Sequence, residues 1–140
     1  RISNVEADLS AEPDILLVSQ AAIDDGRIRL TPAASGQPGQ FVELEGSPDL
    51  IVEIVSQHSV RKDTERLPRA YFAAGVAEYW LVDARGDKLK FQIYRRGNGA
   101  FEPTAVDDEG FQRSAILDRR YRLDRQRGLG NFWQYDLASC

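Results

Sequence analysis

From residue 50 to residue 55 the chain runs Leu50, Ile51, Val52, Glu53, Ile54, Val55, an apolar and largely β-branched stretch with no period, broken once by an acid. Such a run predicts a strand covered on both faces. A shorter run of the same kind, Ile15 to Val18 opened by Pro13-Asp14, predicts a second buried strand, and Glu78 to Asp83 predicts a third. Between residues 64 and 74 the spacing changes: Leu67, Ala70, Tyr71 and Ala74 recur at helical intervals. Asp63 or Thr64 is the candidate N-cap, Gly75 the C-terminal stop, and Pro68 fits if it lies in the first turn. Strand, helix and strand at this spacing predict a right-handed crossover between two parallel strands.

The flanking segments read as shorter strands and loops. Ile28 and Leu30 alternate with polar residues before a Gly/Pro/Ser-rich loop over residues 31–40, and residues 41–48 resemble an edge segment ending in a turn at Glu45-Gly46-Ser47-Pro48. From Lys88 onward, short alternating stretches broken by Gly97, Gly99 and Gly110 predict an antiparallel meander extending one edge of the sheet. The fold class expected is therefore α/β, a mixed sheet with a crossover helix and a β-rich C-terminal meander.

Composition narrows this picture. With 140 residues, 42% of them hydrophobic, one core and one domain over 1–140 are expected. No stretch of about 18 apolar residues and no basic-then-apolar leader occurs, so neither a membrane span nor a secretory signal is expected. The single cysteine, Cys140, leaves no internal disulfide or thiolate cluster and suits a reducing cytoplasm; the single histidine, His58, excludes multi-histidine metal sites. A net charge of -4 argues against bulk adhesion to nucleic acid but leaves room for a local basic stripe.

The acid inside the central strand calls for an explanation, because a buried carboxylate must be neutralised, paired or bound to a metal. A structural ion pair with an arginine is one reading. The other is chemical. Asp49 and Glu53 point to one face but lie roughly 13 Å apart along a strand, too far to share one ion. Asp14 opens the first strand, and antiparallel pairing with the central strand would bring it near Glu53. Two carboxylates, a few waters and a phosphate oxygen make the oxygen-rich shell that Mg²⁺ prefers, with Mn²⁺ as the alternative. Arg61, Lys62 and Arg66, just past the strand, are the cations in reach of a phosphate.

The blocks Glu12 to Ser19, Pro48 to Ser56, Arg61 to Leu67 and Tyr71 to Asp83, covering about residues 6–95, together resemble the Uma-type family of restriction endonucleases, which is similar to the PD-(D/E)XK nucleases. The most specific part is Gly75-Val76-Ala77-Glu78-Tyr79-Trp80-Leu81-Val82-Asp83 at one helix's distance from the central strand. The resemblance implies a restriction-endonuclease-like core over about 6–95 with an extension over about 96–140, metal-dependent cleavage of DNA phosphodiesters, and metal-binding roles for Asp14 and Glu53. It also implies a lysine two residues beyond the acid, where this chain has Val55; Lys62 and Arg66 on the following helix are the substitutes. By the same resemblance, the family's N-terminal helix and its glutamate would precede Arg1.

Other residues admit two readings each. Tyr71, Tyr79 and Trp80 read as core before they read as base-stacking platforms. Asp83 reads as the end of its strand, in a turn with Arg85, before it reads as an acid of the site. His58 reads as a solvated loop residue. The arginine-rich stretch 119–128 reads as an exposed strand face or a salt-bridge ladder before a phosphate contact. Against the nuclease stand a catalytically inactive nucleic-acid-binding or protein-interaction module and a homodimer built on the C-terminal meander.

Overall fold

The computed structural model describes residues 1–140. The chain opens with a hairpin of β1 (Ile2–Asn4) and β2 (Leu9–Ala11), followed by β3 (Ile15–Leu17) and a short helix α1 (Gln20–Asp24) capped by the Ser19 hydroxyl. A second hairpin, β4 (Ile28–Pro32) and β5 (Phe41–Gly46), leads to β6 (Leu50–Ile54), a helical segment over 60–73 and β7 (Glu78–Asp83). Then come β8 (Lys90–Arg96), β9 (Phe101–Pro103), β10 (Gln112–Ser114), β11 (Arg119–Arg127) and β12 (Trp133–Ser139).

These strands form three sheets, ordered β2-β1-β5-β4, β3-β6-β7-β8-β9 and β10-β11-β12. In the five-stranded sheet β6 runs parallel to β7, from Leu50 beside Glu78 to Ile54 beside Val82, and every other neighbour is antiparallel. The architecture is mixed α/β, as expected. The β6 pattern follows from its position between two covering layers. Ile51 packs with Leu67, Tyr71, Val76 and Tyr79, while Leu50 and Val52 pack on the other face with Trp80 and Ile93. Tyr71, Tyr79 and Trp80 are thus core residues, and His58 is exposed.

Four expectations need correction. The helix does not start at 64: it begins at residue 60 and contains a π-turn, Lys62–Arg66, before the regular helix α2 (Leu67–Ala73). Pro68 is the physical reason, since it has no N–H to give to the carbonyl four residues back and its ring crowds that carbonyl. The wider turn, in which the Leu67 N–H donates to the Lys62 carbonyl, lets the helix run through the proline. Asp63 and Thr64 are therefore interior residues, not N-caps. The C-terminal stop holds: Gly75 takes φ +89, and the Val76 N–H reaches the Tyr71 carbonyl at 3.0 Å while the Gly75 N–H reaches Phe72 at 3.1 Å.

Second, β5 is an interior strand, flanked by β1 and β4, because the N-terminal residues supply two strands where none was expected. Third, α1 occupies residues for which the sequence pattern predicted no element. Fourth, only β8 and β9 extend the central sheet; β10 to β12 form a separate three-stranded sheet.

That third sheet is tied to the core by a buried acid. Glu78, 2% exposed, accepts hydrogen bonds from Trp80 Nε1 (2.6 Å), the Ser114 hydroxyl (2.6 Å) and the Ala115 and Ile116 amides (2.9 and 3.3 Å). Glu78→Ala strands these buried donors, each left unsatisfied at about 1–3 kcal/mol. Urea denaturation is expected to show a loss of about 3 kcal/mol or more, and Glu78→Gln a smaller one.

Candidate active site

Ile15 of β3 pairs with Val52 of β6, so the next rung sets Asp14 opposite Glu53. Residues opposite each other in an antiparallel pair project from the same face, so the two acids are neighbours. The Asp14 carboxylate is held by the chain itself, accepting the Ile54 N–H at 2.7 Å. Glu53 is 2% exposed. Its carboxyl accepts a 2.6 Å hydrogen bond from the Tyr71 hydroxyl, delivered from α2.

Burial is the main influence on Glu53 and pushes its pKa up to about 7; the Tyr71 donor opposes this without offsetting it, and the charges of Asp14 and Asp63, with a side-chain hydrogen bond shared with Asp14, push the same way. Near neutrality Glu53 therefore exchanges its proton readily. No arginine or lysine pairs with it, so the simple ion-pair reading of this acid does not apply.

Asp63 is the functional candidate that sequence reasoning missed. Treated as a cap, it is instead 1% exposed in the π-turn, on the same helical face as Leu67 and Tyr71. The Tyr79 hydroxyl donates to its carbonyl at 2.6 Å, and the Ser59 hydroxyl donates to Oδ2. Oδ1 is buried without a hydrogen-bond partner; Lys62 Nζ stands 3.5 Å away as an ion-pair partner. The signal was present as the four-residue spacing of Asp63, Leu67 and Tyr71, but the proline drew the predicted helix start past it.

Of the cations, Lys62 thus reaches the acidic group through Asp63. Arg66 forms no ion pair and is exposed, lining a cavity of about 440 Å³ together with Arg1, Glu12, Lys62 and Leu67. Val55, where a lysine was sought, is 4% exposed and apolar. Asp83 closes its strand against Arg85 at 2.8 Å, which holds its carboxyl down at about 2. Four of the five arginines of β11 are engaged elsewhere: Arg120 with Asp107, Arg122 with Asp124, Arg125 with the Ala84 and Gly86 carbonyls, and Arg127 over the Trp133 ring; Arg119 is exposed. Arg120 and Arg122 point to one face of the strand and Arg119, Arg125 and Arg127 to the other, so the run forms neither one arginine face nor one phosphate stripe.

The donor set suits a hard cation. All three acids offer oxygen, and Asp63 Oδ1 is buried with no hydrogen bond. No three acidic side chains stand close enough to ligate one ion together, so a cation would take a carboxylate pair and complete its shell with water and phosphate oxygens.

The raised Glu53 pKa has a thermodynamic consequence. Unfolding returns it toward its ordinary 4.5, so between that value and about 7 the folded state binds more protons than the unfolded one. Stability in metal-free buffer must then fall as pH rises through this window, by up to about 3 kcal/mol. Denaturation midpoints at pH 5 and pH 8 should show this fall, and Glu53→Gln should flatten it.

The chain matches the model of one protein family over residues 2–125, a span that contains Asp14, Glu53, Lys62, Asp63 and Arg66. No curated protein matches it. No helix is long and apolar enough to cross a membrane. The match takes in most of the 140 residues, and the chain belongs to the Uma2 family, described as "Putative restriction endonuclease".

Proposed function

We propose that the protein is a metal-dependent DNA endonuclease that hydrolyses phosphodiester bonds, with Asp14 and Glu53 holding Mg²⁺ or Mn²⁺. The observation that carries this reading is the pairing of a strand-opening acid with a buried acid that titrates near neutrality and has no cationic partner. Family membership supports nuclease activity. When bound, the metal would supply positive charge to a phosphoryl oxygen and acidify an attacking water.

The chain's own residues divide the remaining work. Tyr71 orients the Glu53 carboxyl through its hydrogen bond, and the Ile54 amide orients Asp14. Asp63 holds the Lys62 ammonium at the edge of the acidic group, where it can receive a phosphate. Arg1 and Arg66 bring further positive charge to the adjoining cavity. Leu67 is buried beside Tyr71 and Ile51 on the side of the sheet that Glu53 faces.

A second reading has one specific observation in its favour. Val55 is buried and apolar where the nuclease superfamily would carry its lysine, which fits a nucleic-acid-binding or protein-interaction module that keeps the fold without the chemistry.

Plasmid nicking with Mg²⁺ or Mn²⁺ separates the two. Asp14→Asn and Glu53→Gln are each expected to lower cleavage at least about 100-fold, and Lys62→Ala by roughly as much, since one positioned charge at a developing anion is worth about that factor. Arg66→Ala should lower cleavage less than Lys62→Ala does, since Arg66 forms no ion pair with the acids. Absence of nicking with either metal, alongside retained DNA binding, would establish the inactive module. Because a metal ligand must be deprotonated, Mg²⁺ should raise the melting temperature more at pH 8 than at pH 6, and not at all in Glu53→Gln.

A further inference from the structure

The C-terminal hairpin ends in an unprotected edge. β12 is the outer strand of its sheet, pairing with β11 over seven rungs from Tyr121 beside Ser139 to Arg127 beside Trp133 without a register shift. Arg120 and Cys140 exchange both backbone hydrogen bonds (2.9 and 3.1 Å), and the Gly128 N–H reaches the Phe132 carbonyl at 2.9 Å. In an antiparallel ladder such rungs alternate, so the even-numbered residues of β12 bond inward to β11. Trp133, Tyr135, Leu137 and Ser139 consequently turn their N–H and C=O groups outward to the open side.

These same residues carry the apolar face. Tyr135 is 50% and Leu137 49% exposed, and with Leu123 they line an open, wholly apolar cavity of about 400 Å³ whose far wall is Ile15, Val52 and Ile54. At the hairpin tip Phe132 is 75% exposed. Edge strands are ordinarily blunted by lysine, proline, a bulge or a covering element. β12 has none of these, and its one charge, Asp136, lies among the inward-bonded residues of the polar face.

We propose that a second copy of this chain adds to this edge, β12 against β12, antiparallel and with the twofold axis at Tyr135. The pattern of side chains selects both partner and register. Centred there, Trp133 meets the partner's Leu137, Tyr135 meets the partner's Tyr135, and Gln134 meets the partner's Asp136, so every rung matches like polarity and no like charges oppose. Centring on Asp136 sets two carboxylates face to face, which is destabilising. Centring on Leu137 exchanges the two tryptophan–leucine contacts for tyrosine–serine ones. The chosen register gives an isologous, closed interface in a six-stranded sheet, with Tyr135 and Leu137 of both copies on the same face.

Sedimentation of the full chain at micromolar concentration is expected to show a dimer. Tyr135→Pro removes an outward N–H while sparing the β11 ladder, and is expected to yield a monomer with an unchanged circular dichroism spectrum. In a Cys140→Ser background, Tyr135→Cys is expected to form an intermolecular disulfide under mild oxidation, since directly opposed strand residues lie within disulfide reach. This second variant decides the matter should the proline unfold the hairpin. A monomeric parent, or crosslinking through Asp136→Cys in place of Tyr135→Cys, would overturn the proposal.

Discussion

The organisation of this molecule depends on one buried carboxyl. A strand as apolar as β6 must be covered on both sides, and Glu53 sits in it at 2% exposure with a single hydrogen-bond donor, Tyr71. An acid in that position cannot be fully ionised without a charge to meet it. The protein meets it with more acid: Asp14 across the strand pair and Asp63 from the helix both raise its pKa. The arrangement disfavours the ionised form of Glu53, which a proton or a nearby cation would relieve.

The helix is shaped around the same constraint. Pro68 disrupts regular helical bonding in the middle of the segment, and the π-turn absorbs the disruption by adding one residue to a turn. Its consequence is positional. Asp63 lies on the face that carries Leu67 and Tyr71, so one wide turn places an acid, an apolar spacer and a phenol in a line along β6, with Lys62 beside them at 3.5 Å from Asp63. A regular helix begun at residue 64 would have contributed Leu67 and Tyr71 alone.

Legibility in the sequence followed the strength of local signals. The β6 and β7 runs are long, apolar and bounded by turns, and their limits agree with expectation; Gly75 marked the helix end because the αL geometry there selects glycine. Asp14 and Glu53 could be matched because strand pairing follows from period and order. What escaped was tertiary. β1 and β2 are three residues each, too short for a period, and become strands by pairing with one another and with β5. Asp63 escaped because the cap preference of aspartate and the proline rule agreed with each other and both were overridden by burial. The free edge of β12 could not be read at all, since which strand ends a sheet depends on partners distant in the chain.

Two buried glutamates in one sheet sit in opposite electrostatic surroundings. Glu53 and Glu78 are both 2% exposed and lie on adjacent strands. Glu78 is met by four donors, from Trp80, Ser114, Ala115 and Ile116, so its oxygens have little left to offer and its role is to fasten the third sheet to the core. Glu53 has one donor and two acidic neighbours, so its remaining lone pairs face negative charge. Glu78 is satisfied by donors alone, whereas Glu53 has Tyr71 as its one donor and two acids that oppose its ionisation. The contrast arises because Glu78 and Trp80 share the face packed by the C-terminal strands, whereas Glu53 points to the opposite face, against the helix, where the charges of Asp14 and Asp63 act on it.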